Sequence, residues 1–515
     1  MDIGRKNGHA ADRWAGGDRM TKTARARMTS CFAWLRLLAL SLPLVLCAGV
    51  TTAAQITAPI AADCARARAW ITRSLPSGAL QSSWTVPVCT APAQPAVMIT
   101  LQPWRHYQRI IGFGAALTGA SAWLIESTQN TVERQRLLTT LFAPPPAGIG
   151  LSLLRVPIGS TDLSRRRYSL APTAPAVAIS APRIDLTPIT DTTLPVLKQA
   201  LSINPHLKII ASPWSAPAWM KTSGNLIGGQ LKRSDERHFA QYLAGYTQAM
   251  RARGVPIYAL TLQNEPDFTP GNYPGMKMGA RQRARIIARY LGPMLARDGT
   301  GTAILDWDDN WSHPDQPLRV LANPAASRYV LGIAWHCYRG DDDAQTEVHD
   351  RFPDKLALLT ECSDGEWAPD DRESLARFMN QVFVGPLRNW ASGIVLWSLA
   401  LDRAHGPHLG GCSKCIGIVT IRRADGVVTR TRDFYALAHF SRFIRTGAYR
   451  IGSSVTGAGI EAVAFLNPTR HIIAVIVTNR DVDAHWVQVD LSIRRVAFEI
   501  PAGGAATVEI DTTHT

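Results

Sequence analysis

Two glutamates each follow a short apolar run with the composition of a buried β-strand. Glu265 comes after residues 257–262, and Glu361 comes directly after residues 356–360. A carboxylate has little reason to lie at the end of a buried strand unless that end opens into a site, because burial of an unpaired charge is costly. Cleavage of a glycosidic bond needs a carboxyl group on each side of that bond. The two strand ends therefore predict a site for glycoside hydrolysis.

The elements that must position these glutamates recur regularly between residues 106 and 430. Apolar runs of strand length alternate there with stretches whose apolar residues have helical spacing. We count eight such runs, at residues 109–113, 151–156, 207–212, 257–262, 303–306, 330–335, 356–360 and 393–397. Eight strand–helix repeats predict an α/β fold, a closed (β/α)8 TIM barrel. An open doubly wound sheet is the alternative, but residues 112–117 lack the full glycine-rich phosphate turn that it would need.

Seven further residues that can bind or orient a sugar fall at the C-terminal ends of these runs. Barrel enzymes carry their sites at this end, whereas chance placement would scatter such residues over both ends. The predicted site residues beside the two glutamates are Asn264, Arg155, Trp214, Asp308, His336, Tyr338 and Trp397.

The pattern changes after residue 430. Turn residues there separate runs of alternating apolar and polar residues at 460–465, 472–478, 486–490 and 506–510. Residues 55–105 contain similar runs. We therefore predict an attached all-β sandwich at residues 431–515, which the N-terminal strands complete beside the barrel of residues 106–430.

The first 54 residues have the features of a signal peptide. Arg25, Arg27 and Arg36 precede an apolar stretch at residues 37–50, and small residues follow it. The stretch is too short for a comfortable membrane span and suits a secretory signal. We therefore expect a secreted or periplasmic protein, with an uncleaved membrane anchor as the alternative.

Six of the eight cysteines remain if a signal peptide that contains Cys31 and Cys47 is removed. Cysteines of small spacing in an exported chain are read as disulfides rather than as zinc ligands. Cys337 and Cys362 each lie beside a predicted strand end, and we expect both to be buried thiols. The expected disulfide partners are Cys412 with Cys415 and Cys64 with Cys89.

The chain is basic, with a formal net charge of +15, and eight Lys/Arg against three Asp/Glu in the first 54 residues contribute +5 of it. The positive charge that remains beyond these residues favours contact with an anionic membrane or envelope surface. Nucleic acid is the weaker alternative, because no basic helix or aromatic-interleaved patch stands out and residues 165–167 are expected in a solvated loop. The acidic runs at 306–310 and 341–343 could bind calcium, but we expect solvated loops and predict no metal or organic cofactor.

Together, these motifs resemble glycoside hydrolase family 30, which contains acid β-glucosidases (glucosylceramidases), β-1,6-glucanases and xylanases. The likeness runs from about residue 105 to the C-terminus and includes the Asn-Glu-Pro strand end at residues 264–266. The other matching segments are residues 112–118, 154–157, 212–222, 332–338, 359–362, 397–401 and 435–443. The resemblance implies a barrel with a β-sandwich and a retaining mechanism.

In a retaining mechanism Glu361 would attack the anomeric carbon, and Glu265 would protonate the leaving oxygen and later deprotonate a water. The resemblance implies a contact between Asn264 and the sugar 2-hydroxyl. We expect Arg155 and Tyr338 to keep Glu361 ionised, and burial to keep Glu265 protonated.

Two tryptophans and a histidine would complete the sugar site. Trp214 and Trp397 would offer flat apolar faces to the sugar ring, and His336 is either a supporting hydrogen-bond partner or a substrate contact. Two positions depart from the family pattern. Gly119 stands where an aspartate that binds outer sugar hydroxyls is common, and Ser398 stands where an asparagine is common. Either another polar group replaces that aspartate or the preferred sugar differs.

The leading hypothesis is therefore a secreted retaining β-glycoside hydrolase, glucosylceramidase-like, that cleaves β-linked glucosides. A β-1,6-glucanase or another β-glycanase of the same family is the alternative. A glycan-binding protein without turnover, suggested by Gly119, and an envelope adhesin are alternatives of a different class. The expected partner is a β-glucoside, a glucan or a glycolipid.

Overall fold

The structure is a computed structural model that describes residues 67–74, 80–87, 97–177, 180–368, 373–491 and 494–512. The predicted signal segment, Cys64 and Cys89 lie outside these residues. Among the helices that are described, none is both long and apolar enough to cross a membrane.

Strands form most of the framework. Twenty lie in the described part of the chain: β1 (Ala67–Ser74), β2 (Leu80–Pro87), β3 (Val97–Arg109), β4 (Gly112–Ala116), β5 (Leu153–Ile158), β6 (Lys208–Pro213), β7 (Ala259–Thr261), β8 (Ala303–Asn310), β9 (Val330–His336), β10 (Leu356–Glu361), β11 (Ala391–Leu396), β12 (Ala400–Leu401), β13 (Val419–Ile421), β14 (Val428–Arg430), β15 (Tyr449–Thr456), β16 (Ile460–Asn467), β17 (Ile472–Asn479), β18 (His485–Leu491), β19 (Arg494–Ile500) and β20 (Ala505–Asp511).

Strands β4 to β11 form a closed parallel barrel in the order in which they occur along the chain, and β11 pairs with β4 to complete the ring. Apolar side chains such as Ile210, Leu305 and Leu358 fill its interior. All eight predicted runs overlap a barrel strand. The ring confirms the predicted TIM barrel and excludes the open sheet, because an open sheet would leave β4 and β11 unpaired with each other.

Helices surround this barrel. The thirteen α-helices of the described residues are α1 (Gly119–Thr128), α2 (Thr131–Phe142), α3 (Thr187–Thr190), α4 (Thr193–Ile203), α5 (Glu236–Ala252), α6 (Ala280–Ile286), α7 (Gly292–Arg297), α8 (Asp315–Leu321), α9 (Pro324–Ser327), α10 (Asp343–Arg351), α11 (Ser374–Met379), α12 (Gly385–Arg388) and α13 (Arg432–Ser441). Two π-helical segments, Ile287–Leu291 and Asn380–Val384, join α6 to α7 and α11 to α12.

Helix α5 illustrates why such helices pack on the strands. Phe239, Leu243 and Tyr246 recur at three- to four-residue spacing and are buried on one face. Arg237 and Arg251 lie on the other face and are exposed. An apolar stripe of this period buries one side of a helix and leaves the other side in water.

The β-domain is a nine-stranded sheet in the order β19-β18-β3-β15-β16-β17-β20-β1-β2. Its N-terminal strands are interleaved with the C-terminal ones, since β1 pairs with β20 and β3 pairs with both β15 and β18. Strand β1 also contacts β19, so the sheet folds over a core that includes Ile99, Val475 and Val489. This is the attached β-sandwich that the alternating pattern predicts.

The acidic run at residues 306–310 is the second half of β8, and our expectation of a solvated loop is wrong. The run is buried, and several of its polar groups have partners inside the protein. Asp306 accepts a hydrogen bond from Arg283 at 2.8 Å, and the Asn310 side-chain oxygen accepts the Tyr338 backbone N–H at 2.9 Å. The apolar pattern ends early because the C-terminal end of a catalytic barrel is lined by polar side chains.

Two disulfides lie in the described part of the chain. Cys412 and Cys415 form the expected disulfide. Cys337 and Cys362 form the other, with their Cα atoms 5.4 Å apart, so our expectation of buried thiols is wrong. The two residues directly follow the adjacent parallel strands β9 and β10, and this juxtaposition brings their sulfurs together.

Candidate active site

The structure brings Glu265 and Glu361 together at the C-terminal end of the barrel. Glu265 follows β7 in the chain, and Glu361 is the last residue of β10. One carboxylate oxygen of each glutamate and one ring nitrogen of His336 all lie within 4.8 Å of one another. A single anomeric centre can therefore contact both carboxyl groups.

Glu361 is held through both of its carboxylate oxygens. The Arg155 guanidinium donates to one of them at 2.5 Å, and the Tyr338 hydroxyl donates to the other at 3.0 Å. Burial raises the pKa of Glu361. The positive charges of His336 and Arg155 lower this pKa and the negative charge of Glu265 raises it, so that the pKa of Glu361 lies above its usual value. Arg155 and Tyr338, which we expected to keep Glu361 ionised, both donate to its carboxylate. Hydrogen bonds to the charged form oppose the effect of burial on its pKa.

Arg155 is completely buried in β5. Its second terminal nitrogen donates to the Asn264 side-chain oxygen at 2.6 Å and to Asp308 at 2.8 Å. Its Nε donates to the Ser212 hydroxyl at 3.3 Å. We expected Arg155 among the substrate contacts, but its donors are directed at protein groups, so it orients Glu361 and Asn264 instead.

Asp308 is the hydrogen-bond centre of the site and is also completely buried. Its carboxylate accepts a hydrogen bond from Arg155 and another from His336, the latter at 3.2 Å. Burial would raise its pKa, but the charges of Arg155 and His336 hold the pKa of Asp308 far below its usual range. We predicted Asp308 as a substrate contact, but its complete burial and its protein partners indicate that it positions other site residues.

Three hydroxyl side chains also donate to Asp308, and the sequence did not reveal them. Ser212 and Thr261 are 2.8 Å from one Asp308 oxygen, and Thr360 is 2.7 Å from the other. They occupy β6, β7 and β10 near the strand ends. The sequence did contain a signal for them. Each is a serine or threonine inside an apolar run, one or a few residues before a predicted site residue.

His336 lies between the acidic groups. Its Nδ1 is 3.4 Å from Glu265, and its Nε2 is 3.2 Å from Asp308. Burial disfavours the charged ring, but Glu361, Asp308 and Glu265 outweigh it and raise the pKa of His336 to about 10. An imidazolium at this point links the Glu265 carboxyl to the buried hydrogen-bond centre.

The backbone at Glu265 is held in an unusual conformation. Its φ is +45°, in the left-handed region that a residue with a side chain seldom adopts. The Glu265 N–H donates to the Asp308 carbonyl at 2.9 Å, and the Asp267 N–H donates to the Asp309 carboxylate at 3.0 Å. Strand β8 thus fixes the turn that carries Glu265, and Asp309 is a further supporting residue that the sequence did not identify.

Trp214 and Trp397 stack on each other, with ring centroids 5.0 Å apart and an angle of 23° between the planes. Each is only 3% exposed, and the Arg155 guanidinium lies 4.8 Å from the Trp214 ring centre. Their facing surfaces are therefore already covered by protein. We predicted that both rings offer flat faces to a sugar, and in this structure each ring covers one face of the other.

The triad of Glu265, His336 and Glu361 contains ligand types that can bind a metal ion. It does not suit a cation, however. The Arg155 guanidinium already occupies one Glu361 oxygen, and the raised pKa of His336 leaves its ring protonated rather than free to coordinate. A metal would have to displace two positively charged groups.

A closed barrel with two facing glutamates at the C-terminal ends of its strands has the architecture of a glycoside hydrolase. Residues 110–444 match the family model of the glycosyl hydrolase family 30 TIM-barrel domain, and residues 447–508 match that of the family 30 beta sandwich domain. The chain belongs to glycoside hydrolase family 30 and is a hydrolytic enzyme.

Several relatives are similar over most of their length. An endo-1,6-β-D-glucanase of Aspergillus fumigatus is 36% identical over 391 residues, which cover 70% of this chain and 77% of the relative. The lysosomal acid glucosylceramidase of Mus musculus is 29% identical, over 75% of this chain and 78% of the relative. A solved endo-β1,6-glucanase structure superposes on this chain with a TM-score of 0.79 at 30% sequence identity. The superposition covers 87% of this chain and the whole of the glucanase chain.

Proposed function

We propose that this enzyme hydrolyses β-1,6-linked glucan and retains the configuration of the anomeric carbon. The spacing of the carboxylates carries this proposal, since oxygens of Glu265 and Glu361 approach within 4.8 Å. Retaining enzymes hold their carboxyl groups about 5–5.5 Å apart, whereas inverting enzymes leave about 6.5–9.5 Å for a water. A pair this close favours direct attack by one carboxylate.

Two carboxyl groups at this distance repel each other when both are charged, so one of them retains a proton. Arg155 bonds directly to Glu361, whereas Glu265 has His336 at the longer distance of 3.4 Å. The Arg155 charge therefore favours Glu361 as the attacking carboxylate, although burial raises the pKa of Glu361, and this leaves Glu265 as the proton donor of the proposed mechanism.

Catalysis then takes two displacements at the anomeric carbon. Glu361 forms a bond to that carbon while the glycosidic bond breaks, and the leaving oxygen takes the proton from Glu265. A water next gives a proton to Glu265 and bonds to the same carbon, which releases Glu361. Because Arg155 fixes the oxygen of the Asn264 amide at 2.6 Å, the amide NH2 of Asn264 can donate to the sugar 2-hydroxyl.

The substrate proposal is supported by the relatives. Endo-1,6-β-D-glucanases of Aspergillus fumigatus and Neurospora crassa are 36% and 33% identical to this chain, and the mouse glucosylceramidase is 29% identical. The glucosylceramidase-like hypothesis therefore has weaker support than the β-1,6-glucanase alternative. Glucosylceramide is the competing substrate.

Hydrolysis of matched substrates tests the proposal. The purified protein is incubated with β-1,6-glucan, β-1,3-glucan, xylan and detergent-dispersed glucosylceramide, and reducing ends or released ceramide are measured. We expect the highest kcat/KM on β-1,6-glucan, and proton NMR should show the β-anomer as the first product. Faster turnover of glucosylceramide, or a first product in the α-configuration, would contradict the proposal.

Glutamine variants of the two glutamates separate catalysis from simple glycan binding. Glu361→Gln should remove turnover of all substrates. Glu265→Gln should lower glucan hydrolysis about 10²–10⁴-fold but spare formation of the glycosyl-enzyme from aryl glycosides, whose leaving groups need no proton. A parent protein without turnover that binds glucan as well as both variants do would favour the glycan-binding alternative.

Export is a further proposal, and the disulfides support it. Cys337–Cys362 and Cys412–Cys415 are typical of oxidising compartments, and the N-terminal segment has signal-peptide character. The full chain and a chain starting at residue 55 can be expressed in a bacterium that has a periplasm. Activity should leave the cytoplasm only with the full chain, and an equal distribution of the two proteins would contradict export.

A further inference from the structure

A groove on the surface of the barrel is lined by five cationic residues and by no acidic residue. This cationic groove has a volume of about 610 Å³, and a threonine and three glutamines supply its neutral polar side chains. The cationic residues are Lys232, Arg233, Arg281, Arg285 and Arg319. Positive charges gathered around one concave surface create a potential that attracts anions.

Two of the five cations have partners in the protein. Arg285 pairs with Glu236, and Arg319 lies 3.1 Å from Asp315 on the preceding turn of α8. Neither carboxylate lines the cationic groove. These two arginines are therefore neutralised from behind, and their pairing leaves the other three cations to determine the charge of the groove.

The other three cations have no acidic partner in the part of the chain that the structure describes. Arg233 and Arg281 are exposed and form no ion pair there. Lys232 donates to the Trp219 carbonyl at 2.9 Å, and a carbonyl does not neutralise its charge. Arg281 and Arg285 also lie on the same side of α6 at a spacing of four residues, where like charges destabilise a helix. A bound anion would offset this repulsion.

The cationic groove lies at the same end of the barrel as the two glutamates. Its residues 222–233 follow β6, while α6 follows β7 and α8 follows β8. The loops after β6 and β7 are joined, since the Lys277 N–H donates to the Gly229 carbonyl at 3.1 Å. Before α8, the His313 ring lies 3.8 Å from Asp267, two residues after the proposed proton donor. The loop that carries this glutamate therefore contacts both other segments that line the groove.

We propose that the cationic groove binds phosphate or carboxylate substituents of a glucan chain whose neighbouring segment lies at Glu265 and Glu361. The inference rests on the proposed β-1,6-glucan substrate and makes an acid-substituted form of this polymer the preferred one. A guanidinium matches either substituent, because it donates two parallel hydrogen bonds to a carboxylate or a phosphate. The shared end of the barrel favours a polymer over a lipid headgroup, since one chain can contact the glutamates and the groove together.

Two forms of one polymer test the inference. β-1,6-Glucan and a lightly carboxymethylated derivative are compared as substrates of the parent and of Arg233→Gln/Arg281→Gln. At low ionic strength the parent should have a kcat/KM about 10-fold higher on the carboxymethylated glucan, through a lower KM, and added salt should reduce this preference by screening. The double variant should lose about 3- to 10-fold of the preference and keep the kcat/KM of the parent on the neutral glucan.

Arg251→Gln/Arg253→Gln is the matched control. It removes the same number of charges from exposed arginines at the far end of α5. The helix has 17 residues, so these arginines lie about 20–25 Å from the end that borders the cationic groove. The control should keep the preference of the parent. An equal loss of preference in both double variants would assign it to net charge and overturn the role of the groove.

A binding measurement separates the groove from turnover. The Glu361→Gln protein, with and without the two groove substitutions, is run in native gels that contain the carboxymethylated glucan. The groove substitutions should weaken its retention, and unchanged retention would overturn the inference. Sedimentation with phosphatidylglycerol vesicles covers the lipid alternative. Vesicle binding that needs both arginines, without an effect of either on the carboxymethylated glucan, would also overturn it.

The outcomes distinguish this inference from the substrate proposal. Equal kcat/KM of the parent on the two glucans would overturn the role of the cationic groove and leave β-1,6-glucan as the substrate. Turnover of aryl glucosides without turnover of either glucan would overturn the proposed polymer as substrate. Gel retention that still depends on Arg233 and Arg281 would then support the groove as an anion site, and retention that does not would overturn both.

Discussion

Two identical side chains acquire different chemistry here through their hydrogen-bond partners. Glu361 faces a guanidinium and a phenol, whereas Glu265 faces an imidazolium and is the more exposed of the two. Arg155 in turn depends on Asp308, which fixes it from behind at 2.8 Å. The residue types of the pair cannot distinguish acid from nucleophile, but the groups that contact them can.

Asp308→Asn should therefore damage catalysis without removing a substrate contact. The change leaves Arg155 and His336 without their shared negative partner, and loss of one member of a buried ion pair costs about 3–5 kcal/mol of stability. We expect kcat to fall about 10²-fold with little change in KM, because orientation of Glu361 is lost and binding is not.

Steady-state kinetics on β-1,6-glucan and an aryl glucoside, with a urea titration, measures both effects. Asp425→Asn is the control, since Asp425 pairs with Arg422 at the surface. That variant should match the parent in both measurements. A rise in KM at unchanged kcat in Asp308→Asn would contradict the positioning role and favour a substrate contact.

His336 should make the protein sensitive to alkaline pH. Its folded-state pKa of about 10 lies above the ordinary 6.5, so the folded state binds the proton more tightly than the unfolded state does. This contribution to stability is fully present below pH 6.5 and is lost as the pH rises toward 10. The free energy of unfolding of the parent should fall across this window more steeply than that of His336→Gln. Parallel curves would contradict a charged His336.

At the scale of elements, the sequence located each barrel strand because apolar runs of strand length are characteristic of buried parallel strands. The prediction missed the second half of β8, because the acidic residues there have the composition of a loop although they belong to the strand. It also failed for the Cys337–Cys362 disulfide, since the pairing depends on which strands are neighbours. Both glutamates were predictable from strand-end position, whereas Asp309 lies in surroundings that only the folded chain creates.

The Cys337–Cys362 disulfide should stabilise the two strands that end at His336 and Glu361. It joins residues 25 apart in the chain, whereas Cys412–Cys415 joins residues 3 apart. Loop-closure entropy predicts a loss of about 3.5 kcal/mol for Cys337→Ala/Cys362→Ala and about 2 kcal/mol for Cys412→Ala/Cys415→Ala. Urea unfolding of both double variants measures the difference. A larger loss from the short loop would contradict this account.

Across the whole molecule, the barrel and the β-domain share an apolar core. Phe440 of α13 lies 5.7 Å from Phe113 of the barrel, measured between ring centroids, and one cluster joins these residues to Val463 and Ile476 of the sheet. A shared core of this kind resists independent unfolding of either part. Both parts are therefore expected to unfold in one transition, and two separate transitions in calorimetry would contradict this.

His439 connects these parts through buried hydrogen bonds and should make the whole molecule sensitive to acid. It lies on α13, with its ring nitrogens 2.8 Å from the Thr507 hydroxyl of β20 and 2.9 Å from the Thr72 hydroxyl of β1. Burial lowers the pKa of His439 from 6.5 to about 3. The folded state thus keeps the ring neutral, while the unfolded state takes up a proton below pH 6.5, so stability is lost as the pH falls from 6.5 toward 3.

The His439→Gln variant separates this effect from general acid denaturation, because a glutamine amide can bond to both threonines and does not titrate. Between pH 7 and pH 5, the parent should lose about 2 kcal/mol more unfolding free energy than the variant. His206→Gln at an exposed histidine is the control and should follow the parent. If the parent and His439→Gln lose equal stability over this range, His439 is not the acid-sensitive contact between α13 and the β-domain.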